Sequence, residues 1–379
     1  MSNKNSDKIE LNELKKEAKK SNSKNKPKKK MNKALKVILI ILVIIIVIVA
    51  AVVAAGWGMI SEMQDESIDE NAIGLNDETV QELSEYRNIA LLGIDSRQDD
   101  YGLGNRSDCI IIASINKSTN DVKLISVYRD SYLQLNEKGK TTLDKVTHAY
   151  SYGGAQNTLL ALNTNLDLNI KEYLTVNFDT VVLAVDALRG VDIDITSDEL
   201  KYLNSYIDAT SQSSGVKASH ITSPGKQKLS GVQAVAYSRI RYTAGGDYKR
   251  AERMRTVVQA MVTKAKSLSA TQLISVANKI LPHVSTNISN SEIISLAPTL
   301  AKMNFSTSIG WPYETKGITL DRWYGVPVTL ESNVIRLHKE VFNDSDYTLP
   351  DNIKKISDSI VAKTGYSSAS GATETNNNK

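Results

Sequence analysis

The chain has 379 residues, a formal net charge of +4 and 41% hydrophobic residues, enough for one large domain or two ordinary ones. The positive charge is concentrated in the lysine-rich first 36 residues, so the remainder is acidic on balance. This argues against a nucleic-acid-binding surface on the folded part. One cysteine rules out an internal disulfide, and with only four histidines it disfavours a zinc site.

The N-terminal part predicts a membrane anchor. Every residue from 37 to 55 is Val, Ile, Leu or Ala, and about 20 such residues span a hydrocarbon core of about 30 Å as a helix. Because lysines precede this run and acids follow it, we predict a cytoplasmic basic tail (1–36), a transmembrane signal anchor (37–58) and an extracellular remainder at the cell membrane. A cleaved signal peptide is the alternative, although its apolar region is usually about 7–15 residues.

Beyond the anchor, the pattern predicts an extracellular stalk (59–87) and then an α/β fold. Asn76 is suited to begin a helix that runs to Glu85. Short apolar runs then alternate with helical stretches, which predicts a mixed β-sheet sandwiched between helices. Predicted strands are 89–93, 109–115, 122–127, 174–178, 191–195 and 234–241, and predicted helices are 158–168, 180–188, 250–270, 271–283 and 291–302. The turn-like Asn120 and Asp121 predict that the second and third strands form a hairpin.

Three segments follow from this division of the chain. We predict a catalytic domain over 88–270, a C-terminal helical extension over 271–366 and a disordered tail over 367–379, which is mostly Ser, Thr and Asn.

Charged side chains recur at the ends of the first three predicted strands. Such positions lie at the edge of the sheet, where α/β proteins bind ligands. If the second and third strands form an antiparallel hairpin, Asp108 lies near Arg129. The residues are Asp95, Arg97, Arg106, Asp108, Arg129 and Asp130.

Two further groups add to this set. Lys145 and His148 could face the same site, although a structural role for His148 is equally plausible. In an extended segment Arg239 and Arg241 would point the same way. In the helix that follows, Asp247, Arg250 and Met254 share one face, and Arg253 and Arg255 add to the density of charge.

Clustered arginines and aspartates indicate a phosphate site. Arginine binds phosphate oxygens in pairs through its planar fork and stays charged. Aspartates suit Mg²⁺, which also takes substrate phosphates and waters as ligands. Like charges about 4 Å apart repel by roughly 4 kcal/mol at an effective dielectric of about 20, so such a cluster predicts an anionic partner.

At these residues the chain resembles the LytR-CpsA-Psr family of cell-wall glycopolymer ligases. The similarity covers the anchor and about residues 88–257. It rests on motifs in a fixed order: Gly93-Ile94-Asp95-Ser96-Arg97, Arg106-Ser107-Asp108, Ser126-Val127-Tyr128-Arg129-Asp130, Asp144-Lys145-Val146-Thr147-His148-Ala149, Leu229-Ser230-Gly231 and Tyr237-Ser238-Arg239-Ile240-Arg241 with Asp247 and Arg250.

The resemblance implies a phosphotransferase. It would attach a polyprenyl-pyrophosphate-linked glycopolymer, such as teichoic acid or capsule, to peptidoglycan through a phosphodiester bond. The resemblance also implies an apolar cleft that holds the lipid. It implies Mg²⁺, with Mn²⁺ as an alternative, at Asp95 and Asp108. Asp247 would orient the arginines. Transfer to an acceptor hydroxyl also needs a base, for which the sequence offers Asp95 and Asp130 without choosing between them. The implied pyrophosphate-binding residues are Arg97, Arg106, Arg129, Lys145, Arg239, Arg241 and Arg250.

Three positions depart from the family pattern, and two other functions stay open. Tyr128 stands where proline is common, Arg189 where glycine is usual and Met254 where glutamine is common.

The predicted pyrophosphate-site residues would also serve a polyprenyl-pyrophosphate pyrophosphatase, which uses water as the acceptor. A membrane-anchored regulator or binding module of envelope maintenance is the other alternative.

Overall fold

The computed structural model of the protein describes residues 64–65, 67–96, 100–289, 304–370 and 372–374. The strands are β1 (Gln64–Asp65), β2 (Tyr86–Ile94), β3 (Ser107–Asn116), β4 (Asp121–Val127), β5 (Tyr132–Glu137), β6 (Lys140–Lys145), β7 (Glu172–Asn177), β8 (Val191–Ile195), β9 (Gly225–Leu229), β10 (Ser285–Thr286), β11 (Asn304–Trp311), β12 (Glu314–Thr319), β13 (Trp323–Pro327) and β14 (Thr373–Glu374). The α-helices are α1 (Asp77–Glu82), α2 (His148–Leu166), α3 (Phe178–Ala187), α4 (Ser197–Ser214), α5 (Gly231–Arg239), α6 (Gly246–Lys266), α7 (Ala270–Ile280), α8 (Leu330–Val341) and α9 (Asp351–Thr364).

Within the described residues, the largest sheet has seven strands in the order β1-β10-β7-β2-β3-β4-β11. β3 pairs antiparallel with β2 and β4, whereas β2–β7 and β4–β11 are parallel pairs. The predicted mixed sheet is therefore confirmed. The β3–β4 hairpin is confirmed too, and Asn120 in its turn has a φ of 58°.

The sheet is covered by helices on both faces, as predicted. Successive side chains of a strand point to opposite faces. On β2, Ile89 and Leu91 belong to a core formed with α3, α4, α5, α6 and α7. The intervening Ala90 and Leu92 belong to a second core formed with α2, α8 and α9. Burying both faces explains the nearly continuous apolar sequence of the central strands.

The prediction of an extended segment over 234–241 is wrong. These residues lie mainly in α5, which begins after Ser230 and ends at Arg239. The Ser230 hydroxyl accepts a hydrogen bond from the Gln233 backbone N–H, and the Gln233 side chain accepts one from the Ser230 N–H. This capping box is readable in the sequence as Ser-x-x-Gln and outweighs the apolar run that suggested a strand.

The interpretation of 271–366 as a helical extension is also wrong. α7, α8 and α9 are helical, but β11 adds to the edge of the central sheet beside β4, and β10 pairs with β7. This part of the chain thus completes the sheet of the same domain. The predicted helix 291–302 lies outside the described residues. In the predicted tail, β14 pairs with β12.

The predicted stalk is part of the fold from residue 67 onward. Asn76 caps α1 as predicted, accepting a hydrogen bond from the Glu78 N–H at 3.1 Å. Ile73 and Leu83 are buried in the α2 side of the core. The hydroxyl of Thr79 donates to the buried Asp167 carboxylate at 2.7 Å. Residue 87 is therefore not the boundary of the domain.

Shortening the chain to begin at Asn88 is expected to destabilise the domain by roughly 3–6 kcal/mol, because it removes two buried leucine-sized side chains worth about 1.5–3 kcal/mol each. Denaturant unfolding measures the loss. A chain beginning at Ser67 keeps Ile73 and Leu83 and serves as the control. Equal stability of the two shortened chains would contradict the assignment of 67–87 to the core.

The predicted tail 1–36 and anchor 37–58 lie outside the described residues. Among the residues that are described, no helix is both long and apolar enough to cross a membrane.

Candidate active site

The β3–β4 hairpin brings the charged strand ends together. Ile110 of β3 lies opposite Val127 of β4 in the antiparallel register, so Asp108 and Arg129 meet just beyond it. Their side chains form an ion pair, as the sequence predicted. At 12% and 18% exposure, the two side chains are largely shielded from water.

Two aspartates share the same three arginines. Asp108 contacts Arg241 at 3.7 Å and Arg250 at 3.6 Å in addition to Arg129. Asp247 contacts Arg250 at 2.9 Å, Arg129 at 3.5 Å and Arg241 at 3.7 Å. We call these five residues the arginine cluster. With three guanidiniums held by two carboxylates, it carries one positive charge in excess and is suited to bind an anion.

Asp130 and Lys145 extend the cluster towards β6. Asp130 contacts the Arg129 Nε at 3.4 Å and the Lys145 Nζ at 2.6 Å. Although burial acts to raise the pKa of Asp130, the hydrogen bond from Lys145 and the charge of Arg129 lower it below its usual range. Burial raises the pKa of Asp247, which the charge of Arg250 only partly offsets.

Asp95 fixes the position of Arg106 at the end of β2. Its Oδ1 accepts a hydrogen bond from the Arg106 backbone N–H at 2.8 Å, and its Oδ2 lies 3.5 Å from the Arg106 guanidinium. The Arg106 side chain is about half exposed. Arg97, the other predicted arginine of this loop, lies outside the described residues.

Arg239 and Arg241 reach the site by a different geometry from the one expected. Arg239 ends α5, where its guanidinium lies 5.2 Å from the Phe178 ring centroid and donates to the Thr210 hydroxyl at 3.0 Å. Arg241 follows the turn after α5 and joins the arginine cluster. The period-two argument for a shared direction was therefore wrong, but both side chains line one cavity.

Arg253 has a structural role that the sequence did not indicate. It is buried, and it contacts Glu199 at 2.8 Å and the backbone oxygen of Ile240 at 3.0 Å. It thereby anchors the turn that presents Arg241. No sequence signal separates this arginine from its ligand-facing neighbours, since the distinction depends on a partner 54 residues away.

His148 does not share the site of Lys145. Its Nδ1 lies 2.7 Å from Asp144, which also accepts a hydrogen bond from the Tyr152 hydroxyl at 2.7 Å. Despite burial, these hydrogen bonds lower the pKa of Asp144 to about 2. The structure thus supports the structural role for His148, while Lys145 reaches Asp130.

A cavity of about 600 Å³ lies over the arginine cluster. We call it the arginine cavity. Asp95, Asp108 and Asp179 are the aspartates that line it. Its arginines are Arg106, Arg129, Arg239, Arg241 and Arg250.

An apolar cavity of about 120 Å³ adjoins the arginine cavity, between the sheet and α3, α5 and α6. Asp108, Phe178 and Met254 line both cavities. Met254, which stands where the family commonly has glutamine, is thus part of an apolar wall. A charged head group in the first cavity and an apolar chain in the second would fit one amphipathic ligand.

The site also fits a hard divalent cation through the chemistry of its donors. Asp95 and Asp108 line the same cavity, and two carboxylates leave coordination positions for waters and phosphate oxygens, as Mg²⁺ prefers. Within the described parts of the chain, no group of three or more His, Cys, Asp or Glu side chains forms a complete metal site.

The two other departures from the family pattern are both accommodated locally. Tyr128 packs edge-on against Tyr248 with 4.8 Å between ring centroids, and its hydroxyl fills the space above Gly310 where any Cβ would clash. Arg189 has a φ of 64°, a conformation that explains why glycine is usual there.

The fold and site together define a mixed α/β protein with an arginine-rich cavity beside an apolar one. The LytR_cpsA_psr family model matches residues 57–316, and the chain belongs to that family.

Known proteins that are similar to this chain include one named as a transferase. TagU of Bacillus cereus (strain AH820), a polyisoprenyl-teichoic acid–peptidoglycan teichoic acid transferase, is 32% identical over 215 residues, which are 56% of this chain and 64% of TagU. The chain thus spans somewhat less than two thirds of that relative. A structure of TagT bound to LIIa-WTA has a TM-score of 0.54 and 26% identity, covering 69% of this chain and 91% of TagT. Protein gbs0355 from Streptococcus agalactiae has a TM-score of 0.56 and 25% identity, covering 72% and 93%.

Proposed function

We propose that the protein is a phosphotransferase that attaches a polyprenyl-pyrophosphate-linked glycopolymer to peptidoglycan through a phosphodiester bond. Teichoic acid, capsule or a related polysaccharide is the polymer class. The observation that carries this proposal is the adjacency of the arginine cavity and the apolar cavity, which suits a pyrophosphate joined to a lipid. The names of TagU and TagT support it.

In this reaction the arginines position the pyrophosphate and stabilise its charge. Arg129, Arg241 and Arg250 converge from β4, the turn after α5 and α6. Their fixed orientation costs no reorganisation when negative charge develops. Arg106, Arg239, Lys145 and Arg97 complete the proposed set, and Asp247 orients the arginines.

Asp95 and Asp108 would hold Mg²⁺, or Mn²⁺ in its place. The ion would supply charge neutralisation on the phosphate oxygens. Phosphoryl transfer needs positioning and charge stabilisation more than a protein nucleophile. The acceptor hydroxyl still needs a proton acceptor, for which Asp95 and Asp130 are the candidates.

We further propose that residues 37–58 anchor the protein in the cell membrane, with the catalytic domain outside the cell. A lipid-linked donor and a peptidoglycan acceptor both require that location.

The decisive experiment uses the purified protein, a polyprenyl-pyrophosphate oligosaccharide, Mg²⁺ and peptidoglycan fragments. The expected result is sugar bound covalently to peptidoglycan. Release of phosphate without attachment would instead indicate a pyrophosphatase. Lipid binding without any turnover would indicate a binding module.

Polyprenyl pyrophosphate is expected to protect Cys109 from an apolar maleimide. Cys109 is the one cysteine of the chain and lines the apolar cavity, and burial raises its pKa to about 11, so the thiol already reacts slowly near pH 8. At a lipid concentration about ten times its Kd, labelling should slow about tenfold. Mass spectrometry measures the labelled fraction. Inorganic pyrophosphate is the control, and equal labelling with and without lipid would show that the lipid does not cover Cys109.

A further inference from the structure

A third cavity, of about 260 Å³, adjoins the apolar cavity, with which it shares Asp108, Cys109, Ile111 and Met254. It shares Asp108, Arg129, Arg250 and Met254 with the arginine cavity. In the sheet order β7-β2-β3-β4-β11, the apolar cavity is lined from β7, β2 and β3. The third cavity is lined from β3 and β4 and from the β12–β13 hairpin.

This cavity has an aromatic wall. Tyr128 and Tyr248 meet edge to face in it. Trp323 of β13 completes the wall and remains 45% exposed. Its indole lies across Gly317, where an added Cβ would come within 2.9 Å of the indole Nε1. A flat, half-exposed indole seated on glycine backbone presents one face to a ligand.

The β12–β13 hairpin also holds Asp130 in the wall of this cavity. The Gly325 N–H donates to the backbone oxygen of Asp130 at 2.9 Å. Lys145, which pairs with the Asp130 carboxylate, lies 5.8 Å from the Tyr324 ring centroid. Asp130 is therefore fixed at both its backbone and its side chain. Trp323, Tyr324 and Gly325 lie beyond residue 316, where the family match ends.

In-line displacement requires the acceptor to approach the phosphorus from the side opposite the leaving group. If the lipid phosphate leaves towards the apolar cavity, the acceptor must enter from the β4 side. The third cavity is lined from β4 and contains the carboxylate of Asp130, besides Asp108 and Asp247 of the arginine cluster, together with aromatic faces. At about 260 Å³ it lies near the lower end of the roughly 300–1,000 Å³ of ligand pockets, which suits one ring rather than a long chain.

We propose that this cavity is the acceptor subsite and binds one pyranose ring of the peptidoglycan glycan strand against Trp323, Tyr128 and Tyr248. The inference rests on the proposed transferase function. The acceptor O–H gives its proton to the Asp130 carboxylate as its oxygen bonds to the phosphorus that carries the glycopolymer. The bond from that phosphorus to the bridging oxygen breaks, and polyprenyl phosphate leaves with the bonding electrons.

The test measures transfer kinetics separately for the two substrates. Trp323→Ala is expected to raise the KM for a defined peptidoglycan glycan fragment by about three- to tenfold, the range that loss of an aromatic contact gives. The KM for the lipid-linked donor should stay unchanged. Leu320→Ala is the matched control, because it is 43% exposed and lies in the same hairpin without lining the cavity. Gly317→Ala, which displaces the indole without removing it, should behave like Trp323→Ala.

The outcomes separate this subsite from the function on which it rests. If wild type attaches glycan and Trp323→Ala keeps the wild-type acceptor KM, the subsite is overturned while the transferase function stands. If Trp323→Ala raises the donor KM instead, the cavity holds part of the donor and the inference is wrong. If wild type attaches nothing and the glycan fragment does not change its tryptophan fluorescence, both proposals fail.

Discussion

Arg129→Ala is expected to reduce glycopolymer attachment by at least roughly tenfold and up to about 100-fold, since one charge-assisted hydrogen bond is worth about 1.5–3 kcal/mol. Arg129 is the centre of the arginine cluster, because it contacts all of Asp108, Asp130 and Asp247. Its side chain is only 18% exposed, so water cannot replace the lost guanidinium well. The effect should appear both in donor binding and in the rate at saturating donor.

Two comparison variants make this result interpretable. Arg129→Lys keeps the charge but loses the planar fork, so it should recover only part of the rate. Arg87→Ala removes a similarly buried arginine that pairs with Glu172 at 2.7 Å and lies at the start of β2, the opposite end of the strand from Asp95. It reports the loss of stability that such a deletion causes by itself. Wild-type transfer in Arg129→Ala would show that the pyrophosphate binds elsewhere.

Arg241→Ala should have a smaller effect than Arg129→Ala. Arg241 is 44% exposed, and its contacts with Asp108 and Asp247 are both 3.7 Å long. Solvent screens such pairs and weakens their contribution. An arginine on this exposed rim still supplies charge to the cavity, so we expect a loss near the lower bound of roughly tenfold that one charge-assisted contact gives. The order of the two variants is measured in the same attachment assay.

Much of the site could be predicted because its signals are local. The hairpin between β3 and β4 follows from two apolar runs and an Asn-Asp turn, and its register then places Asp108 beside Arg129. The helical spacing of Asp247 and Arg250 likewise predicts their contact, which is 2.9 Å. Where a turn or a helical spacing determined the geometry, the predicted neighbours are the observed ones, whereas the period-two rule failed at Arg239 and Arg241 because a helix replaces the expected extended segment.

The remaining features depend on partners distant in the chain. The joining of β11 to the edge beside β4 links residues about 180 positions apart, and no periodicity in either strand encodes it. The third cavity arises because the β12–β13 hairpin packs against the loop after β4, which Gly325 and Asp130 connect. Likewise, Arg253 and Arg250 both lie in α6, and their roles differ because Arg253 contacts Glu199 whereas Arg250 contacts Asp108. Such pairings are set by packing of the whole domain.

Asp108→Asn is expected to separate donor binding from transfer. The substitution removes the charge that partly neutralises Arg129, Arg241 and Arg250, so the arginine cavity becomes more positive by one unit. Binding of polyprenyl pyrophosphate should therefore be retained or tightened. Transfer should fall by about 100-fold or more, because losing one preorganised electrostatic group at a reaction centre costs roughly 10²–10³.

Calorimetry with polyprenyl pyrophosphate and the attachment assay, run on the same preparation, measure the two effects. Asp179→Asn is the matched control, since Asp179 lines the same cavity from α3 rather than from the strand ends. Weaker donor binding with normal turnover in Asp108→Asn would contradict the assignment. It would mean that Asp108 only holds the arginine cluster in place, and that transfer does not require a carboxylate at this position.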